Sequence, residues 1–191
     1  MKAIDTFRVV LDHSEDAVVI VCQEGRQVWE SITDDYDLYI PFVGAMGKGS
    51  SVGLGVALAR PDRHVIVLDG DGSLLMNLGS LVTIANMAPK NYYHLVVENG
   101  IYAGTGGQPV PNAGKVSFVG MARAAGYAAA YEFHDLEEFS IHAKEILSSE
   151  GPVLVCLKVE PEPETRPMAT RPLGRPMREG LKTVRATLAA S

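Results

Sequence analysis

The sequence has few cysteines and no long apolar run, and both shortages exclude classes of protein. Its two cysteines, Cys22 and Cys156, each lie inside a short apolar run, so we expect buried thiols and no disulfide framework. This favours a reducing compartment, and we expect the cytoplasm. No apolar run approaches the ~20 residues that a membrane-spanning helix requires, so we expect no membrane partner.

Basic residues are also scarce. The 191 residues include 17 Lys and Arg against 23 Asp and Glu, which gives a formal net charge of −6. This balance argues against a general electrostatic contact with nucleic acid, so we expect no nucleic-acid partner. The hydrophobic fraction of 47% is large enough for a buried core and too high for wholesale disorder.

Short runs rich in valine and leucine alternate with helix-like segments along most of the chain. The runs show little polar alternation, as expected for strands buried on both faces of a parallel sheet. The helix candidates end near proline or glycine, and Asp135 is suited to cap one of them. The pattern predicts an α/β fold with strands at 17–22, 64–69, 93–98 and 152–159 and helices at 50–60, 73–88, 116–125 and 135–149.

The composition changes after residue 160. Five of the eleven prolines lie between Pro161 and Pro176. Such a stretch predicts an extended arm that leaves the domain, followed by a short basic helix at 178–189. We expect the basic segment from Arg171 to Arg185 to pack along a neighbouring subunit. We therefore divide the chain into a domain, 1–160, and a proline-rich C-terminal arm with its helix, 161–191.

Glycines cluster at three places beside the predicted strands. One cluster lies within residues 44–55, a second lies in the turn 69–73 (DGDGS), and a third lies within 100–107. The second and third directly follow predicted strands. In a parallel sheet the loops after the carboxyl ends of strands meet at one edge, where ligands bind. The sequence therefore predicts a ligand site at this edge.

The turn 69–73 joins a buried strand to the start of a helix, where free backbone N–H groups suit a phosphate. The Asp71 carboxylate would repel a phosphate unless a cation lay between them, which points to Mg²⁺. Twenty-six residues separate Gly72 from Asn99, room for one helix and one strand, so Asn99 would lie beside Asp71 and offer an amide oxygen. The alternative is a plain acidic turn in which Asp71 caps the helix.

These motifs resemble the diphosphate-binding domain of thiamine diphosphate enzymes, and most closely the sulfopyruvate and phosphonopyruvate decarboxylases. The likeness runs from about Asp16 to Glu160 and is carried by GAMGKGSSVGLGVALA, VIVLDGDGSLLMNLGSLVTIA and VENGIYAGTGGQPVP. It implies a doubly wound, mainly parallel sheet with helices on both faces, the PP-type domain of the thiamine diphosphate-binding fold. It also implies thiamine diphosphate and Mg²⁺ as cofactors.

The resemblance implies a role for individual residues. The carbonyl of Gly44 would accept a hydrogen bond from the cofactor's 4′-amino group. Met46 would lie beneath the thiazolium, where an apolar wall favours the loss of a charged carboxylate. The metal ligands would be two side chains and one backbone carbonyl, those of Asp71, Asn99 and Ile101. The diphosphate would be held by the glycine turn and its serine, Gly70, Gly72 and Ser73.

The sequence departs from the family pattern at two positions. The family turn often reads Asn-Asn, whereas Glu98 precedes the asparagine here, and its side chain is expected to face away from the metal. Lys48 stands where related decarboxylases often carry histidine; it either holds an anionic substrate as a point charge or is a solvated surface charge. Tyr102, Thr105 and Gln108 follow the metal turn and either line the substrate pocket or pack on a partner.

Thiamine diphosphate enzymes need a glutamate that activates the cofactor, and in the resembled family it lies on a separate pyrimidine-binding domain. The resemblance therefore implies a β-type subunit of a two-subunit decarboxylase, with an α-type partner that supplies the glutamate in an α2β2 or larger hetero-oligomer. The expected substrate is a small anionic 2-oxo acid, sulfopyruvate or phosphonopyruvate, which yields the aldehyde. The alternatives are a carboligase subunit similar to acetolactate synthase, a non-catalytic nucleotide-binding module, and a paralogue without turnover.

Overall fold

The structure is a computed structural model that describes residues 1–166, 170 and 174–190. Its strands are β1 (Val18–Cys22), β2 (Tyr39–Phe42), β3 (Val65–Gly70), β4 (Tyr92–Glu98), β5 (Ile101–Tyr102), β6 (Gln108–Pro109), β7 (Ala129–Phe133) and β8 (Val153–Lys158). Its helices are α1 (Ala3–Leu11), α2 (Gly25–Glu30), α3 (Gly49–Ala59), α4 (Asp71–Leu75), α5 (Ser80–Met87), α6 (Phe118–Ala125), α7 (Leu136–Ser148) and α8 (Met177–Ala190).

Within the described residues, six strands form one parallel sheet in the order β2-β1-β3-β4-β8-β7. Helices cover both of its faces, so the predicted doubly wound α/β fold is confirmed. The four predicted strands correspond to β1, β3, β4 and β8, which occupy the middle of the sheet. The two edge strands, β2 and β7, and the short hairpin β5–β6 were not predicted.

The core consists of two apolar layers, one on each face of the sheet. Alternate strand residues supply the two layers because successive side chains of a strand point to opposite faces. One layer packs under α3, α5, α6 and α8, through residues such as Leu54 and Phe118. The other packs under α1, α2 and α7, through residues such as Phe7 and Phe139. Both predicted buried thiols, Cys22 and Cys156, are buried and free.

The single helix predicted at 73–88 is wrong, because the chain forms α4 and α5 with a break between them. The glycine segment that precedes α3 packs against this break. A Cβ atom at Gly47 would lie 3.1 Å from Cβ of Met76 and 3.2 Å from the carbonyl oxygen of Ser73. The close approach of Gly47 therefore seats this segment directly on the end of α4. Helices α1 and α2 were also not predicted.

The C-terminal arm returns to the domain in its described part, which corrects the expectation that it leaves. The predicted basic helix is confirmed as α8, but it packs along β2 of its own chain. Gly180 lies against the ring of Pro41, and Val184 is buried in the core. The predicted arm also includes 167–169, 171–173 and 191, which lie outside the described residues. Among the described helices, none combines the length and the apolar character needed to cross a membrane.

Candidate active site

A cavity of about 400 Å³ opens at the carboxyl ends of the central strands. Strand β2 lies on one side of β1, and β3 lies on the other. The order of the strands therefore reverses between β1 and β3. Ligands of open α/β sheets bind at such a reversal point. The cavity is lined by residues that follow both strands, Gln23 after β1 and the turn 69–73 after β3. The predicted edge of the sheet therefore carries a candidate ligand site.

The Asp71 carboxylate joins two of the predicted glycine turns. It is 2% exposed, and its Oδ1 accepts a hydrogen bond from the N–H of Gly72 at 2.8 Å. Its Oδ2 accepts from the N–H of Gly100, in the turn after β4, also at 2.8 Å. Burial raises the pKa of Asp71, while the two N–H donors act in the opposite direction. A buried carboxylate at a cavity wall is a suitable ligand for a divalent cation.

Asn99 and Ile101 line the same cavity as Asp71. Oδ1 of Asn99 accepts a hydrogen bond from the N–H of Ile101 at 3.0 Å, which folds the turn after β4 back on itself. The side chain of Glu98, one residue earlier, is not among the residues that line the described cavity, and it accepts a hydrogen bond from Lys158. Its charge nevertheless adds to the raised pKa of Asp71. That Glu98 faces away from a bound metal stays a prediction.

The segment before α3 forms another wall of the cavity. Met46 lines the cavity, and Oγ of Ser73 accepts a hydrogen bond from the N–H of Gly47 at 3.0 Å. Gly44 has a φ of +83° and open space around it, so only a glycine adopts this backbone without strain. Lys48 is exposed, at the residue that precedes α3. Within the described residues, neither Gly44 nor Lys48 belongs to the cavity lining.

The three substrate candidates that follow Asn99 divide into two groups. Tyr102 and Thr105 line the cavity, and the ring of Tyr102 lies so close to Gly72 that a Cβ atom there would be 2.5 Å from Cε1. Gln108 is exposed and is not in the lining of the described cavity. Its Oε1 accepts a hydrogen bond from Oγ1 of Thr105 at 2.9 Å, so it supports the β5–β6 hairpin.

The described residues fit the implied cofactor and metal. A carboxylate and an amide oxygen, from Asp71 and Asn99, face one cavity, and Mg²⁺ prefers oxygen ligands of this kind. Beside them Gly70 has no atom within 4 Å of the place where a Cβ would be. The backbone of the turn is thus accessible to a phosphate group. These roles for the individual residues remain predictions.

Sequence reasoning missed one side of the cavity. Gln23 and Glu24 follow β1, and Glu160 and Glu162 follow β8; all four line the cavity. The rule that loops after parallel strands gather at one edge would have found them, because both strands were predicted. The prediction instead used the glycine clusters, which lie before α3 and after β3 and β4. As a result, the acidic character of this side of the cavity was not predicted.

A separate cluster of potential metal ligands lies at the ends of β4, β7 and β8. One ligand atom from each of Glu98, Glu132 and Cys156 lies within 4.8 Å of the others. However, the ammonium group of Lys158 donates to Glu98 at 2.6 Å and lies 3.3 Å from Glu132. The chain's own cation therefore balances the carboxylates, and the cluster is an ion-pair network.

Comparison with known proteins agrees with this geometry. The family described as thiamine pyrophosphate enzyme, C-terminal TPP binding domain, matches residues 30–157. Phosphonopyruvate decarboxylase of Streptomyces viridochromogenes is 42% identical over 88% of this chain and 41% of its own length. Sulfopyruvate decarboxylase subunit beta of Methanocaldococcus jannaschii is 34% identical over 84% of this chain and 85% of its own. A thiamine diphosphate-dependent 4-hydroxybenzoylformate decarboxylase of Rhodococcus jostii shares the fold, with a TM-score of 0.69 and 22% identity over 87% of this chain and 33% of its own.

The chain spans about two fifths of the length of the phosphonopyruvate decarboxylase that it matches, but most of the length of the sulfopyruvate decarboxylase beta subunit. Two independent features therefore coincide. The cavity lies at the reversal point of a parallel sheet, and the family match covers the strands and turns that form most of its wall. The chain belongs to the thiamine pyrophosphate enzyme family, as a C-terminal TPP-binding domain.

Proposed function

We propose that this chain is the β-type subunit of a two-subunit decarboxylase that uses thiamine diphosphate and Mg²⁺ and acts on a small anionic 2-oxo acid. Sulfopyruvate and phosphonopyruvate are the proposed substrates, by analogy with the relatives named above. The observation that carries the proposal is the cavity wall itself. The glycine turn after β3 and the asparagine turn after β4 are joined by the Asp71 carboxylate and face the same space.

The metal and the diphosphate would be held by residues of this chain alone. Asp71 and Asn99 would bind Mg²⁺ through side-chain oxygens and Ile101 through its carbonyl. The backbone of Gly70 and Gly72, together with the Ser73 hydroxyl in α4, would bind the diphosphate. When bound, thiamine diphosphate supplies the nucleophilic carbon and the electron sink that decarboxylation requires.

The remaining walls would orient the cofactor and exclude water. Met46 offers an apolar surface on one side of the cavity and Tyr102 closes another side over Gly72. An apolar, water-poor site favours the loss of a charged carboxylate. Gly44 would hold the cofactor's amino group through its carbonyl oxygen, while Lys48 would reach an anionic substrate from outside the described cavity.

The proposal includes a partner chain. The beta subunits that this chain resembles carry a name that implies a second subunit, and the chain covers most of their length. An α-type partner would supply the glutamate that activates the cofactor, in an α2β2 or larger assembly. The two free, buried cysteines fit a reducing compartment, so we propose the cytoplasm as its location.

Calorimetric titration of thiamine diphosphate with Mg²⁺ tests the proposal, first with this chain alone and then with its co-expressed partner. Wild-type binding should require Mg²⁺ and should be strongest in the presence of the partner. Asp71→Asn should weaken binding at least about a hundredfold, because even an outer-shell partner of a metal ligand is worth about 10–100-fold. Asp62→Asn, an exposed carboxylate paired with Arg60, is the matched control and should bind like wild type.

The reaction is tested by incubating the assembled complex with a series of 2-oxo acids. Release of CO₂ with formation of the aldehyde supports decarboxylation. Formation of a longer 2-hydroxy acid instead would assign the chain to a carboligase. If wild type binds no thiamine diphosphate with or without the partner, the proposal is wrong and a nucleotide ligand becomes the better candidate.

A further inference from the structure

A chain of buried polar side chains lies directly beneath the candidate site. Asp69 precedes the glycine turn, His94 lies on the neighbouring β4, and Tyr127 follows α6. Asp69 is 1% and His94 0% exposed, and Tyr127 is buried beside them. A carboxylate in such a place is costly unless its oxygens are hydrogen-bonded. None of the roles proposed above uses Asp69, so its presence needs another explanation.

One carboxylate oxygen of Asp69 contacts the backbone of the glycine turn. Its Oδ1 accepts a hydrogen bond from the N–H of Gly70 at 3.0 Å. Asp71 makes two further contacts of this kind, to the N–H groups of Gly72 in the same turn and Gly100 in the turn after β4. Two buried carboxylates thus accept from three backbone N–H groups at this edge of the sheet. Asp69 holds the N–H of the peptide that joins β3 to α4.

The other side of Asp69 faces the polar chain. Its Oδ2 lies 3.5 Å from Nε2 of His94, and Nδ1 of His94 lies 3.4 Å from the Tyr127 hydroxyl. Among the described residues, Asp69 Oδ2 and His94 Nε2 are both buried atoms without a hydrogen-bond partner, and they face each other across this distance. We assign the tautomer with the proton on Nε2, because it directs a donor at the carboxylate and leaves Nδ1 to accept from Tyr127.

Cys22 lies at the end of β1, close to the same carboxylate. Burial raises the pKa of the Cys22 thiol, and the nearby Asp69 charge adds to the effect, so Cys22 keeps its proton. Gly49 packs on Cys22 Sγ so closely that a side chain at residue 49 would overlap it. The thiol therefore has little room to move away from Asp69.

We propose that Asp69 is a positioning residue, which holds the Gly70 peptide in the conformation that lets the turn accept a diphosphate. His94 with Tyr127 on one side and Cys22 on the other keep its carboxylate in place. The part of this inference that concerns the diphosphate rests on the proposed function. The part that concerns the Gly70 peptide does not, because it can be measured without any ligand.

The first measurement is hydrogen exchange of the Gly70 amide by NMR, on the full chain labelled with ¹⁵N-glycine and free of cofactor. Asp69→Val removes the acceptor and should speed this exchange about tenfold, the factor that corresponds to one hydrogen bond. Asp69→Asn keeps an acceptor oxygen and should restore slow exchange, since His94 can then present Nε2 to the new amide. Leu154→Ala, a buried residue of β8 on the same face, is the control for general destabilisation.

The second measurement is the Kd of thiamine diphosphate with Mg²⁺ for the same variants, in the complex with the partner. Asp69→Val should raise the Kd about tenfold, and both Asp69→Asn and Leu154→Ala should keep it near the wild-type value. If wild type binds no cofactor, the proposed function fails, yet the exchange of the Gly70 amide still decides the role of Asp69.

Unchanged Gly70 exchange in Asp69→Val would overturn the inference, and so would equal effects of Asp69→Val and Leu154→Ala. If Asp69→Val does not fold, the exchange of the Gly70 amide is measured in His94→Leu instead. This variant leaves the carboxylate but removes its support, so faster Gly70 exchange supports the inference and unchanged exchange refutes it.

Discussion

Two glycines of α3 differ sharply in their surroundings and provide a direct test of the packing between this helix and the sheet. Gly53 faces the sheet, and a Cβ atom there would overlap Cγ2 of Val67 and lie 3.0 Å from Cε2 of Tyr92. Gly55 lies two residues further along the same helix and would find no atom within 4 Å. We therefore expect Gly53→Ala and Gly55→Ala to change stability in opposite directions.

The magnitudes follow from two separate effects. Alanine is better than glycine in a helix interior by about 0.8–1 kcal/mol, and both positions gain this amount. Forcing an extra carbon into a filled core costs about 1–3 kcal/mol, and only Gly53 incurs this cost. Because the atom would overlap a β-branched side chain that cannot rotate away, we take the upper part of the range. Gly53→Ala should thus destabilise the chain by about 2 kcal/mol, while Gly55→Ala stabilises it by about 0.5–1 kcal/mol.

Urea denaturation of the full chain, followed by circular dichroism, measures both variants against wild type. The free energies of unfolding of the two variants should differ by about 2.5–3 kcal/mol, while the m-value for urea stays unchanged. Equal stabilities of the two variants, within about 0.5 kcal/mol, would refute the close contact between α3 and β3. A fall in stability for Gly55→Ala would instead show that its open surface is covered in solution.

The remaining predictions concern the ion pairs and one helix cap. Lys158→Met should destabilise the chain by about 2–3 kcal/mol in urea denaturation, because Glu98 is buried and loses its cation. The double variant with Glu98→Gln should recover most of this loss, because no buried charge is then left unpaired. Burial raises the pKa of Glu132, but hydrogen bonds from His134 and Lys158 outweigh it and leave the pKa below its ordinary value near 4.5. A lowered carboxylate pKa gives stability that is present above that value and lost as the pH falls below it, so wild type should lose more stability than Glu132→Gln between about pH 5 and 3. Asp135→Ala should lower the free energy of unfolding by about 1 kcal/mol, measured by urea denaturation. The reason is that the Asp135 carboxylate accepts a hydrogen bond from a backbone N–H in the first turn of α7.

The sequence was sufficient for the middle of the sheet and insufficient for its edges. Strands β1, β3 and β8 are buried along nearly their whole length, so they appear as apolar runs. The two edge strands differ from this pattern in separate ways. Strand β2 is buried but has only four residues and contains Pro41, which lacks an N–H, whereas β7 includes the exposed residues Tyr131 and Glu132. An edge strand needs only one hydrogen-bonded neighbour, so its sequence is less constrained.

The candidate site was predicted well where residues are close in sequence and poorly where only the sheet brings them together. The turn 69–73 and Asn99 follow strands and carry glycines, so their pattern is visible along the chain. Asp69, His94 and Tyr127 are equally close in space, but they come from three elements, and His94 reaches Asp69 only through the register that pairs it with Val67. No spacing rule predicts such a contact before the strand order is known.

The acidic residue beside the asparagine turn illustrates why a departure from a family pattern must be judged in three dimensions. By sequence alone, we expected only that the Glu98 side chain faces away from a metal at Asn99. The register of the sheet adds a partner that the sequence did not reveal, because it pairs Glu98 with Lys158 on β8. The Lys158 ammonium group and the Cys156 thiol, which donates at 3.0 Å, both engage the Glu98 carboxylate. Lys158→Met removes the cation from this buried carboxylate and is therefore a test of fold stability.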